Sequence, residues 1–124
     1  MLRRRAPLLA AGAAAALLGV CGCGSTTTVG SSRTLQIGLD EYRVLPQDVR
    51  TTAGPLTIVV HNYGRLTHSL VITLHGLPEA STGPIAPGET TDLYATLEAG
   101  DYVMASSILS DQALGAYGTL DVGS

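Results

Sequence analysis

From Thr34 onward, apolar and polar positions alternate in short runs. Leu35, Ile37 and Leu39 alternate with Gln36, Gly38 and Asp40, and Leu56, Ile58 and Val60 alternate with Thr57, Val59 and His61. His68, Leu70, Ile72 and Leu74 share one parity; Ser69, Val71, Thr73 and His75 share the other. Thr91, Leu93 and Ala95 open a further run, Tyr102, Met104 and Ser106 alternate with Val103 and Ala105, and Tyr117 to Val122 closes the chain. A period of two is that of a strand with one buried face. Turn residues separate the runs: Pro46, Ala53-Gly54-Pro55, the stretch 76–84, Ala86-Pro87-Gly88-Glu89 and Glu98-Ala99-Gly100-Asp101. Short strands at this spacing predict a β-sandwich. No window of useful length has helical periodicity, and the chain has no internal repeat and no nucleotide-binding glycine pattern.

The first thirty-three positions follow different rules. Arg3, Arg4 and Arg5 precede an apolar run from Ala6 to Val20. That run is short for a membrane span, which needs roughly twenty residues, and suits the apolar part of an export signal. Val20-Cys21-Gly22-Cys23-Gly24-Ser25 follows and resembles a bacterial lipoprotein box, in which a small residue precedes a cysteine that is lipidated and becomes the new N-terminus. Gly22 makes Cys23 the better fit, with Cys21 behind bulkier Val20 as the alternative. Gly24 to Arg33 is polar and reads as a flexible tether. The expected organisation is a signal peptide over 1–22, a tether over 23–33 and a folded domain over 34–124. The expected location is extracytoplasmic, anchored by lipid to the cell membrane.

Composition narrows the chemistry. Among 124 residues there is no Trp, Phe or Lys, and five Tyr are the only aromatics. Without Arg3 to Arg5, four basic residues face ten acidic ones. An acidic domain is a poor ligand for nucleic acid, whose affinity comes from neutralised phosphates. No cysteine follows Cys23, so the domain can form no disulfide and supply no thiolate.

Several motifs arrive in an order that resembles a cupredoxin over residues 34 to 122. Pro46-Gln47-Asp48-Val49 with Ala53-Gly54, then Val60-His61-Asn62-Tyr63-Gly64 leading to His68-Ser69-Leu70, are two of them. Ile85-Ala86-Pro87-Gly88-Glu89-Thr90 resembles that family's Pro-Gly turn, and Gly100-Asp101-Tyr102 with Gly115 to Val122 its closing strand pair. The resemblance implies an all-β, Greek-key β-sandwich of cupredoxin type with about seven or eight strands. It also implies copper bound by His, Cys, His and an axial Met. Carried over by position, the first His falls on His68, the Cys on Ser106, the second His near Asp111 and the Met on Ala116. No His follows His75 and no Met follows Met104, so the type 1 site is degenerate in any register.

His68 is therefore either a remnant metal ligand or a polar residue at the rim. His61 and His75 have outward parity, and seven residues of strand put His75 on the order of 23 Å from His68. A site of another kind could join His68, Asp111 and Met104, although Asp111 also reads as a loop residue and Met104 as core. Asn62 is expected to tie the rim loops together by side-chain hydrogen bonds. Ser106, Ser107 and Ser110 lack a His-Asp pair at supporting spacing, and no enzymatic activity is expected. The resemblance thus implies a binding or structural module of the cell envelope, with no cofactor expected. Its docking surface for an envelope protein would be the rim formed by Asn62 to His68 and Ser107 to Ala116, made apolar by Leu66, Ile108, Leu109, Ala113, Leu114 and Ala116. The alternative is a copper-binding or metal-handling protein that uses His68, with copper or zinc as the ligand.

Overall fold

The computed structural model describes residues 25–106 and 117–124, which form two packed β-sheets. Ten strands follow in chain order: β1 (Thr27–Thr28), β2 (Thr34–Leu39), β3 (Val44–Leu45), β4 (Asp48–Thr52), β5 (Gly54–Asn62), β6 (Leu70–Leu74), β7 (Leu77–Ser81), β8 (Thr90–Leu97), β9 (Gly100–Ser106) and β10 (Tyr117–Gly123). Two of them, β1 and β3, are only two residues long. One sheet has the order β1-β4-β10-β9-β6-β7 and the other β3-β2-β5-β8. The chain changes sheet six times: after β1, β3, β4, β5, β7 and β8.

The period of two decides what is inside. Leu35, Ile37 and Leu39 of β2 are buried, as are Leu56, Ile58 and Val60 of β5. Leu70 and Ile72 of β6, Tyr102 and Met104 of β9, and Leu120 and Val122 of β10 meet them from the other sheet in one continuous core. Each fully buried Leu or Ile contributes roughly 1.5–3 kcal/mol by leaving water. Met104 belongs wholly to this core, with none of its surface exposed.

Three segments depart from the sequence pattern. Part of the stretch expected as tether is inside the fold: Thr27 and Thr28 pair with Val49 and Arg50 of β4, and Val29 packs on the core. Arg33 then clasps the β4–β5 corner, donating to the Pro55 carbonyl, both Thr51 and Thr52 hydroxyls and the Thr52 carbonyl. The ordered chain thus begins at least seven residues before Thr34. The stretch 76–84, expected as loop, contains β7. His75 (φ 51°) and Gly76 (φ 80°) make the two-residue turn that returns the chain from β6. Last, Asp48–Thr52 forms a strand parallel to β10, which alternation did not show and only the motif Pro46-Gln47-Asp48-Val49 with Ala53-Gly54 marked.

Strand direction fixes which residues share an end. β2 and β5 are parallel, so Leu39 and Asn62 finish side by side. β6 and β9 are antiparallel, so Leu70 at the start of one faces Ser106 at the end of the other. These ends, together with an isolated bridge between His68 and Ile85, form one rim of the sandwich.

Candidate functional site

At this rim the chain leaves β5 at Asn62 and turns back toward β6. Asn62 is buried and organises the turn from within. Its Nδ2 donates to the carbonyls of Leu66 at 2.9 Å and Ile85 at 2.8 Å, and its Oδ1 accepts the Gly64 N–H at 2.8 Å. Asn62 therefore ties the 62–66 turn to the segment around Ile85. Its expected bond to the loop 107–116 lies outside the described residues.

His68 is held by this frame. Its N–H donates to the Ile85 carbonyl (3.1 Å) and its carbonyl accepts the Ile85 N–H (2.7 Å). With backbone fixed on both sides, the side chain points inward and is completely buried. Nδ1 lies 3.2 Å from Ser106 Oγ, and Nε2 lies 3.3 Å from Glu41 Oε2. A carboxylate only accepts, so Nε2–H donates to Glu41, which leaves Nδ1 to exchange a hydrogen bond with the Ser106 hydroxyl, a group that can either donate or accept. The result is a chain Ser106–His68–Glu41, buried at Ser106 and His68 and half-buried at Glu41, that joins β9, the segment entering β6 and the β2–β3 turn.

Glu41 is the member the sequence did not reveal. It sits twenty-seven residues before His68, in a turn with no periodic pattern. Its other oxygen accepts the Arg65 N–H at 2.6 Å. That backbone bond, helped by His68, holds the Glu41 carboxyl below the usual carboxylate range against the opposing effect of burial. Gly64 makes the approach sterically open. A Cβ at Gly64 would collide with the Glu41 carboxylate and stand 3.0 Å from His68 Nε2.

The depressed value sets a direction for pH. A carboxyl whose folded pKa is lowered stabilises the fold above its unfolded pKa, and that contribution disappears as pH falls through the folded value. The stability gap between the native protein and Glu41→Gln is therefore expected to be open at about pH 6 and to close toward about pH 3. Urea midpoints at the two pH values check it. A gap that is independent of pH would mean that Glu41 acts through packing and not through charge.

The remaining histidines stand apart. His61 is on the outer face of its sheet, with Nε2 2.6 Å from Gln36 Oε1 and Nδ1 2.9 Å from Thr90 Oγ1, and its ring stacks on Tyr63. His75 is exposed at the opposite end of the sandwich. Neither approaches His68, in keeping with their outward parity. Among the described residues no three His, Cys, Asp or Glu side chains come together as a metal-holding group. Cys21, Cys23, Asp111 and the 107–116 half of the expected rim lie outside the described residues.

No protein-family model and no curated protein sequence matches the chain. Solved structures do. Auracyanin from Roseiflexus castenholzii superposes with a TM-score of 0.70 at 19% identity, over 77% of this chain and 100% of that one. The fold is that of the cupredoxins. Auracyanin A from Chloroflexus aurantiacus gives a TM-score of 0.66 at 19% identity, over 77% of this chain and 99% of that one. Rusticyanin from Thiobacillus ferrooxidans gives 0.63 at 19% identity, over 82% and 84%. The cupredoxin fold implies a copper centre, and the donors described here do not suit a type 1 site. They are an imidazole, an alcohol and a carboxylate, and no thiolate exists after Cys23 to form the copper–sulfur bond such a site requires.

Proposed function

We propose that this cupredoxin-like domain is an exported, lipid-anchored module of the cell envelope that serves by binding or as a structural element and does not transfer electrons. The observation that carries this reading is the Ser106–His68–Glu41 chain. Auracyanin A is described as a blue copper protein. Here an alcohol faces the imidazole, and a protonated hydroxyl is a weak ligand at neutral pH. The imidazole instead satisfies the buried Ser106 hydroxyl and the half-buried Glu41 carboxylate and braces the rim. The same chain superficially suits a Ser–His–acid hydrolase, but a nucleophile must reach its substrate, and Ser106 is buried. Burial of Ser106 therefore speaks against a hydrolytic triad at this position. The anchor reading comes from the lipoprotein-like box at Cys23, with Cys21 as its alternative.

One observation favours metal handling as a second reading. Two ligands about 2.0–2.1 Å from a tetrahedral zinc ion stand roughly 3.3 Å apart. His68 Nε2 and Glu41 Oε2 have that separation. Calorimetric titration of copper and zinc into the purified protein, His68→Ala and Glu41→Gln decides between the two. The expected result is no tight binding by any of them. Tight binding by the native protein that both substitutions abolish would replace the structural reading with metal handling. Membrane retention is expected to be lost in Cys23→Ser; retention by that variant would move the anchor to Cys21 or to an uncleaved signal.

A further inference from the structure

Seven large hydrophobic side chains are exposed among the described residues, and all but Leu77 and Tyr94 lie at the His68 rim. Tyr42 is in the turn after β2, and Leu45 in β3 pairs with Gly38 near the end of β2. Tyr63 and Leu66 are in the turn after β5, and Tyr117 opens β10 opposite Ala105. Lone exposed apolar residues are ordinary, but five at one end need an explanation. Arg43 and Arg65 stand among them, and both are exposed. Charge does not distinguish the two ends: Asp40, Glu41 and Glu89 also lie at the rim, and at the opposite end Asp121 pairs with Arg50.

The direction of β1 connects this end to the N-terminus. β1 is parallel to β4, and β4 is parallel to β10, which starts at the rim. The chain before Thr27 therefore leads toward the rim. Thr27 is level with Val49, Leu120 and Tyr102 across the sheet. From Tyr102 to Ser106 at the rim is four residues of strand, or ~13 Å. Cys23 is four residues before Thr27, and four residues of chain span at most ~14 Å. A lipid on Cys23 would thus be tethered too closely for the domain to stand clear of the membrane.

We infer that the His68 rim rests in the headgroup layer of the bilayer that holds the anchor, with Tyr42, Tyr63 and Leu66 in the interface and Arg65 reaching lipid phosphates, while Arg43 stays paired with Asp40. This deepens the lipid-anchored reading and rests on it. Tyrosine rings place an apolar body and a polar tip at such a boundary, and arginine stems lie along apolar surface while the charge stays wet. The rim's partner is the phospholipid surface, and an envelope protein is not required.

The chain has no tryptophan, so one substitution makes a unique reporter. Tyr63→Trp places it at the rim, and Leu77→Trp places it at an exposed apolar position on the opposite end. Each full-length variant is purified from the membranes of a lipoprotein-processing host and reconstituted in phosphatidylcholine vesicles that carry brominated acyl chains. The expected result is co-flotation of both proteins, with a blue shift and strong quenching of Trp emission in Tyr63→Trp only. Leu66→Asp in that background is expected to weaken the quenching without loss of flotation. Co-flotation with no quenching in Tyr63→Trp overturns the rim inference and leaves the anchor standing. So does a reporter that is silent in vesicles but shielded in native envelopes, which would make the partner a protein. Absence of flotation overturns the anchor and the rim inference together.

Discussion

Asn62→Ala is expected to lower the unfolding free energy by about 3 kcal/mol, because buried polar groups left without partners cost roughly 1–3 kcal/mol each. Asn62 has 1% of its surface exposed and makes three side-chain hydrogen bonds. Truncation affects its partners unequally. The Ile85 carbonyl still accepts from His68 N–H, so it keeps one bond. The Leu66 carbonyl and the Gly64 N–H lose their side-chain partner, and a small void replaces the amide. The loss should appear as a lower urea midpoint at unchanged slope, since the folded core is the same. Asn62→Asp separates polarity from shape. It preserves the acceptor toward Gly64 but turns a carboxylate toward two carbonyl oxygens, so at neutral pH it is expected to cost at least as much as Ala. Acidification protonates that carboxyl and restores a donor, so the deficit should narrow as pH falls. A loss below about 1 kcal/mol in Asn62→Ala would mean that water replaces the amide at little cost.

The same residue marks the boundary of what the sequence could reveal. Alternation identified the buried faces of β2, β5, β6 and β9, and with them the inward aim of His68, the outward aim of His61 and the core position of Met104. These strands have one dry face, so the pattern is written in their own side chains. β7 carries no such pattern: Leu77, Pro78, Glu79 and Ser81 are exposed, and its conformation comes from hydrogen bonds to β6 at a sheet edge. β1 is two exposed threonines held by β4. β4 buries only Val49 and Thr51, one of them polar, so its alternation is faint. Glu41 was hidden for a different reason. Its meeting with His68 depends on the parallel pairing of β2 and β5, which brings two distant turns together, and no local spacing encodes that. By contrast, the approach of His68 to Ser106 followed from ordered motifs that resemble a known family.

Gly118→Ala is expected to cost about 3 kcal/mol, at the upper end for an overpacked site, although it adds a single methyl group. The reason is what that methyl group would meet. Its carbon would stand 2.5 Å from the Gln47 carbonyl oxygen and 3.2 Å from the Gln47 carbonyl carbon and Cα. All three are backbone atoms, so no rotamer change relieves the contact. The same carbonyl accepts the Thr119 N–H at 2.7 Å, which fixes β4 against β10 where the clash would fall. Relief requires moving the segment around Gln47 and breaking that bond. Through β4 the disturbance would reach β1, which among the described residues pairs only with β4. Amide exchange should therefore show lost protection at Thr119 and Val29, whose N–H donates to Arg50, while Leu70 to Leu74 in β6 stay protected. If Gly118→Ala unfolds at the native midpoint with Thr119 still protected, the 47–118 approach is looser than 2.5 Å and the β4–β10 seam is not close-packed. If the seam yields as expected, the proposed lipid-anchored arrangement predicts that β1 is released with it and that the proposed orientation of the rim toward the membrane is lost in the same variant.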